Sequence, residues 1–372
     1  MMPATVPVQR PTGAKLLVAG KDGRIEHWRR ADFVRLFREG DLVIANDAAT
    51  LPASLRGHHL RTGREIEVRL AGRDSLDEVT RFSAVLFGPG DFRTRTEDRP
   101  LPPPVQPGDR LTLGPLRATI VGLHHHPRLV ALEFEGSPAT IWEGLARHGR
   151  PIQYSHMTTP LALWDTWTPI AGPPVAFEPP SSGFVLDWAA LASLAKRGVR
   201  FATITHAAGI SSTGDPTLDA RLPFDEPYRI PASTARAIRE ARAQGARVIA
   251  IGTTVVRALE HAATLGPVVQ AGEGVASQRI DGSSQLRIVN AILSGTHQPG
   301  TSHYEMLRAF VGERRLNRIS RALEEHGYRT HEFGDSVFLE ATRQLARVRR
   351  AADTWSREQF PGNSCRVVAY RR

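Results

Sequence analysis

Two hydrophobic rhythms divide the chain. Near the N-terminus, residues 15–18 form a strand-like apolar run, and residues 30–38 carry helical spacing. Gly40-Asp41 then turns into the unbroken run Leu42-Val43-Ile44-Ala45, which Asn46-Asp47 ends. From about residue 58 to 146 the rhythm shortens to alternating runs such as Glu65-Ile66-Glu67-Val68-Arg69-Leu70 and Arg117-Ala118-Thr119-Ile120-Val121, punctuated by Gly and Pro. This predicts an inserted β-rich domain, a small barrel. Residues 99–108 hold five prolines, which cannot donate to a central sheet, so a loop or edge is expected there. Ser137-Pro138 offers a cap and a first-turn proline for a helix running to Gly149.

Beyond Pro151 helices and strands alternate. Residues 188–196 and 232–243 are helical in pattern, with Gly245 as a stop after the second; residues 199–205 and 247–251 read as strands. Such alternation predicts an α/β core. The expected division is a discontinuous main domain of residues 1–57 and 151–340, an inserted barrel of 58–150, and a basic tail of 341–372.

Composition narrows the class without changing this picture. The 372 residues are 41% hydrophobic and 23% charged, which is ordinary globular usage and enough chain for two cores. The single cysteine, Cys365, makes no internal disulfide and by itself no structural zinc site, which favours a reducing compartment. The N-terminal stretch lacks the apolar core of a signal peptide, and no uncharged apolar run of about 18 residues occurs. A cytoplasmic location is expected. The formal charge of +10 favours approach to a polyanion, but a solvated basic end would give the same balance, since Arg343, Arg347, Arg349, Arg350, Arg371 and Arg372 supply part of it.

Candidate chemistry sits where strands end. Residues 247–260 read as a buried strand that stops at Gly252 and a helix that begins at Thr254; Gly252 lets backbone approach a ligand, and the first helical N–H groups suit an anion or carboxylate. The same pattern fits an ordinary strand-turn-helix with an Arg257–Glu260 ion pair one turn on. In Thr205-His206-Ala207-Ala208-Gly209-Ile210-Ser211-Ser212 a strand runs into a small-residue loop, which puts His206 beyond the sheet edge where α/β ligands bind, as acid, base or mere cap. His297 stands in a loop bounded by Gly295 and Pro299, ahead of a helical run, and Asp335 follows Gly334 in what is either a turn or a site. His124-His125-His126 reads as a loop tip rather than a metal site, because neighbours on an extended segment point apart. Phosphate-loop, dinucleotide and paired-cysteine signatures do not occur.

From about Arg10 to Leu339 these segments, in this order and spacing, resemble the S-adenosylmethionine:tRNA ribosyltransferase-isomerase family. The resemblance rests on Gly40-Asp41-Leu42-Val43-Ile44-Ala45-Asn46-Asp47 with Leu51-Pro52-Ala53, and on Gly252-Thr253-Thr254 through Arg257 and Glu260. It rests also on His297 with Pro299, Ala309-Phe310 with Gly312, and Tyr328-Arg329 with Phe333-Gly334-Asp335. It implies an α/β main domain with an inserted β-barrel, no metal, and a reaction that moves the ribosyl carbons of S-adenosylmethionine onto the aminomethyl group of a 7-deazaguanine in the tRNA anticodon. Adenine and methionine leave, and epoxyqueuosine is formed. The sulfonium acidifies the ribose C5′, so the chemistry needs a modest base there and an acid for departing adenine. His206, His297, Glu226 and Asp335 are the expected acid and base candidates; Asn46, Asp47, Gly183, Gly252, Thr253, Thr254 and Arg257 are expected to hold substrate. A monomer is expected.

Three positions depart from the family's pattern. Val185 stands where the family has the histidine of Pro-Thr-Ala-Gly-Leu-His-Phe, Phe224 where it has the histidine of His-Ser-Glu, and Ala49 where an arginine follows Asn-Asp. Three readings stay open: the same chemistry in a divergent subgroup, S-adenosylmethionine chemistry on a small-molecule acceptor, and non-catalytic RNA binding.

Overall fold

The structure is a computed structural model and describes residues 1–342; the expected basic tail lies outside them from 343 on, with Cys365. In chain order the strands are β1 (Lys15–Ala19), β2 (Ile25–Arg29) and β3 (Leu42–Asn46). Next come β4 (Ser54–His59), β5 (Glu65–Gly72), β6 (Arg81–Phe87), β7 (Arg110–Leu113), β8 (Leu116–Leu123) and β9 (Leu129–Phe134). The last group is β10 (Arg200–His206), β11 (Glu226–Ile230), β12 (Val248–Ile251), β13 (Gly272–Ala276), β14 (Ala291–Gly295) and β15 (Ser336–Glu340). The longer helices are α1 (Pro138–His148), α2 (Trp188–Lys196), α3 (Ala232–Ala243), α4 (Thr253–Ala262), α5 (Ser302–Val311) and α6 (Glu313–Glu325).

Nine strands make one sheet in the order β13-β11-β10-β3-β12-β14-β15-β1-β2. Its centre is parallel: β3 pairs with β10 and β12, and β12 with β14, so these strands end on one edge. Alternation splits each central strand between two cores. Leu42, Ile44, Val248 and Ala250 face the helices α3, α4, α5 and α6, while Val43, Ala45, Ile249 and Ile251 face Leu194 of α2 and Phe33 and Phe37 near the N-terminus. Burial on both faces is why these strands read as unbroken apolar runs.

Strands β4 to β9 close into a six-stranded barrel, in the order β8-β9-β6-β5-β4-β7. Its interior is filled by alternate side chains, among them Leu55, Val68, Phe82, Leu111 and Ile120, and Ile141 and Leu145 of α1 join the same core. Closure requires Gly57: a Cβ there would lie 1.8 Å from the Thr112 carbonyl oxygen. The first barrel strand begins at Ser54, ahead of the boundary expected at 58, and Ser54 exchanges backbone hydrogen bonds of 2.9 Å with Arg150, so the chain leaves and re-enters the main domain side by side. The proline-rich segment is a loop held by a buried ion pair between Arg99 and Glu67.

Two expected helices differ in detail. Residues 30–38 form a 3₁₀ turn, Arg30–Leu36, ended by the Phe37 N–H donating to the Val34 carbonyl at 3.3 Å. Helix α4 starts at Thr253, one residue before the expected Thr254, because Gly252 at φ +96° is itself the cap. The three adjacent histidines lie between β8 and β9, with His124 on Ser83 (3.2 Å) and His126 on Asp215 (3.3 Å).

Candidate functional site

The parallel strands deliver three candidate segments to one edge. Asn46 ends β3, and its side chain bridges the neighbouring strand: its Nδ2 donates to the His206 carbonyl and its Oδ1 accepts from the His206 N–H, both at 2.9 Å, while Nδ2 also reaches the Thr254 hydroxyl at 3.4 Å. Asp47 accepts from the Thr205 hydroxyl at 2.7 Å. Asn46, Asp47, His206, Gly252, Thr253 and Thr254 are therefore one continuous wall. Gly183 lies on the facing 3₁₀ turn Ser181–Val185; Ser182 is close enough to Gly252 that a Cβ on Gly252 would sit 3.3 Å from the Ser182 Cβ.

Behind His206 lies a buried ionic pair. The Arg257 guanidinium pairs with the Glu226 carboxylate and also donates to the Gln278 and Phe224 carbonyls at 3.1 and 2.8 Å. Glu226 accepts in addition from the Gly209 N–H at 2.6 Å, so both its oxygens are engaged. The expected Arg257–Glu260 pair does not form: Glu260 turns to the backbone N–H groups of Arg287, Ile288 and Val289, at 2.7 to 2.9 Å. His206 is fully buried with neither ring nitrogen hydrogen-bonded, 3.4 Å from Glu226, and burial pushes its pKa down to about 4, so it stays neutral.

His297 and His303 stack at 5.0 Å between ring centroids, and His297 Nε2 meets the Ser294 hydroxyl at 2.9 Å. Burial first, then the neighbouring His303 and His331, holds His297 well below its ordinary pKa; burial lowers His303 as well. Burial therefore favours the neutral imidazole in both.

Asp335 stands apart from this chemistry. Its carboxylate accepts from the Lys15 N–H at 2.6 Å and the Arg329 N–H at 2.7 Å, which ties β1 to the turn before β15. The geometry makes Asp335 a staple, and the catalytic role expected of it is not supported by these contacts.

The residues that sequence reasoning missed line the other side of the cleft. Glu178 accepts from the Tyr154 hydroxyl and from the Ser211 N–H at 3.0 Å, and Tyr154 also receives the Ser212 N–H at 3.2 Å. Burial, then the nearby Glu332 charge, pushes the Glu178 carboxyl up to about 7. His156 stacks on His331 at 4.1 Å and reaches Glu332 at 3.2 Å. Signals existed: Glu178 lies a few residues before Gly183 and Val185, His303 follows His297 in the same loop-to-helix stretch, and His331-Glu332 directly precede Phe333-Gly334-Asp335.

A cavity of about 360 Å³ between the barrel and the returning chain is lined by Arg56, Arg93, His148 and Arg150 together with Glu67 and Asp91, Asp91 pairing with Arg56 and Arg93, and it shares Gln153 and Leu161 with the small cavity beside Glu178 and Glu332. The three departing positions are structural here. Val185 belongs to the core under the sheet, Phe224 packs near Ile210 and Leu218, and Ala49 is buried in a short bridge to Pro174.

Residues 2–339 match the family described as "Queuosine biosynthesis protein". The S-adenosylmethionine:tRNA ribosyltransferase-isomerase of Sorangium cellulosum is 32% identical, covering 90% of this chain and 94% of its own length. The protein of the same name from Pelobacter propionicus is 29% identical, covering 91% and 96%. Among solved structures, the S-adenosylmethionine tRNA ribosyltransferase of Thermotoga maritima is 23% identical at a TM-score of 0.48, covering 91% and 96%.

Proposed function

Since the chain belongs to the queuosine biosynthesis protein family, we propose that its cleft carries out the ribosyl transfer and isomerisation for which its relatives are named, taking S-adenosylmethionine as donor and a tRNA anticodon base as acceptor. Methionine and adenine leave, and the ribosyl carbons pass to the aminomethyl group of the 7-deazaguanine. A cytoplasmic location belongs to the same reading; among the described residues no helix is long and apolar enough to cross a membrane.

The observation that carries the assignment of roles is Glu178, a buried carboxyl raised to about 7, held by Tyr154 and Ser211 on the segment that leads to Gly183 and Gly252. At neutral pH a good fraction of it is protonated, which suits an acid for departing adenine. Neutral His297, oriented by Ser294 and stacked on His303, is the base for the acidified C5′ proton. Asn46 and the first turn of α4 hold the donor, with the free N–H groups after Gly252 taking its carboxylate. The Glu226–Arg257 pair positions the wall behind His206 rather than moving protons, because Glu226 is already shared between Arg257 and Gly209. In the cavity beside the barrel, where Arg56 and Arg93 pair with Asp91, Arg150 offers a phosphate contact to RNA.

The test is adenine release from S-adenosylmethionine with substrate tRNA present. Wild type is expected to release adenine only with tRNA, and Glu178→Gln to lose at least about a hundredfold in rate. Full activity in that variant would remove Glu178 from the chemistry.

A further inference from the structure

We propose that His156, His331 and Glu332 form a binding site for one divalent transition-metal ion, Zn²⁺ being the type, at the mouth of the cleft. The residues come from distant parts of the chain: His156 lies in the segment returning from the barrel, and His331 and Glu332 in the turn before β15. One ligand atom from each lies within 4.8 Å of the other two. Tetrahedral donors about 2.1 Å from one ion lie about 3.4 Å apart, so side-chain shifts of up to roughly 1.4 Å close the set.

The backbone explains how two sequence neighbours share one ion. The run His124-His125-His126 makes no such cluster, since His124 meets Ser83 and His126 meets Asp215. His331 has φ +70°, and its carbonyl accepts from the Gly334 N–H at 2.9 Å. This left-handed turn brings its ring and the Glu332 carboxylate together. A non-glycine residue rarely holds that conformation unless its surroundings impose it. The imidazoles of His156 and His331 stack, 18° apart at 4.1 Å, so one ring turns about its Cβ–Cγ bond to bring both nitrogens to one ion, with Glu332 as the third donor 3.2 Å from His156 Nε2.

Two imidazoles and one carboxylate are the donor set of open, three-ligand zinc and iron sites. His331 is exposed while His156 and Glu332 are half-buried, so an ion can reach the three from solvent, and Glu332 lines the same small cavity as Glu178 and Tyr154. The site goes beyond the ribosyl-transfer reading, and against the metal-free reaction expected of the sequence. Its test is independent of turnover.

Tag-free, chelator-treated protein is titrated with Co²⁺, read by its visible absorption, and then with Zn²⁺ in competition. One saturable equivalent is expected, weakened at least about tenfold by Glu332→Gln and by His331→Ala and unchanged by the exposed-loop control His125→Ala. Circular dichroism and melting of each variant confirm that it is folded, and the near-isosteric Glu332→Gln keeps the test valid should His331→Ala misfold. Absence of a saturable equivalent, or one that survives both Glu332→Gln and His331→Ala, overturns the site.

Discussion

In the proposed chemistry Glu178 is the acid, and its environment fixes two signs. As an acid it must be protonated, so adenine release should fall as pH rises through about 7. The Tyr154 hydroxyl donates to the carboxylate and so lowers its pKa; Tyr154→Phe should move that limb to higher pH in a pH–rate profile. For stability, the carboxyl is raised to about 7 from an ordinary 4.5 on folding. The folded chain then binds the proton more tightly than the unfolded one, and stability that is full below the ordinary value is lost as pH rises through about 7. Glu178→Gln, which cannot ionise, should therefore be more stable than wild type at about pH 8, by up to about 3 kcal/mol, and show no such advantage at about pH 4 in denaturant melts. Asp335 makes the opposite case. Asp335→Ala strands two backbone N–H groups, on Lys15 and Arg329, and should cost about 1–3 kcal/mol in chemical denaturation while leaving turnover per folded molecule intact. Single residues were the least legible level of the sequence. His206 and His297 could be picked because they follow strands at Gly-rich loops, whereas Glu178 and Glu332 acquire their character only from chain segments that folding brings beside them.

At the level of elements the junction between β12 and α4 joins fold to site. Gly252 sits at φ +96° with Ser182 against it, so Gly252→Ala should lower the melting temperature, by about 1–2 kcal/mol in stability, and weaken S-adenosylmethionine binding at least about tenfold by calorimetry. If the donor bound elsewhere, affinity would survive the substitution. This junction was readable because a parallel strand buried on both faces leaves an unbroken apolar run, and Gly252 punctuates it. Helices α2 and α3 were readable to the residue for similar reasons: Asp187 caps α2 by accepting the Ala190 N–H at 2.7 Å, and Pro231 precedes α3. The 3₁₀ turn Arg30–Leu36 was not, since helical spacing does not distinguish an i+3 from an i+4 bond over two turns.

For the whole molecule, the sequence rhythm located both the barrel and the α/β core, because alternation marks strands of a small filled barrel and continuous burial marks the main sheet. The edge between them was less legible: the first barrel strand runs from Ser54 without a break in pattern. The proposed donor wall lies on the sheet edge, and the cavity on the barrel side carries Arg56, Arg93 and Arg150 beside Glu67 and Asp91, in a chain of formal charge +10. Binding of an anticodon stem-loop should accordingly weaken at least about tenfold between roughly 50 and 200 mM salt, and Arg150→Ala should reduce that salt slope by about one in a fluorescence titration. The central claim, ribosyl transfer from S-adenosylmethionine to tRNA in this cleft, is tested most directly by quantifying adenine released from S-adenosylmethionine with and without tRNA carrying the 7-aminomethyl-7-deazaguanine. Release is expected only when that tRNA is present; release without tRNA, or none in its presence, would overturn ribosyl transfer to tRNA at this site.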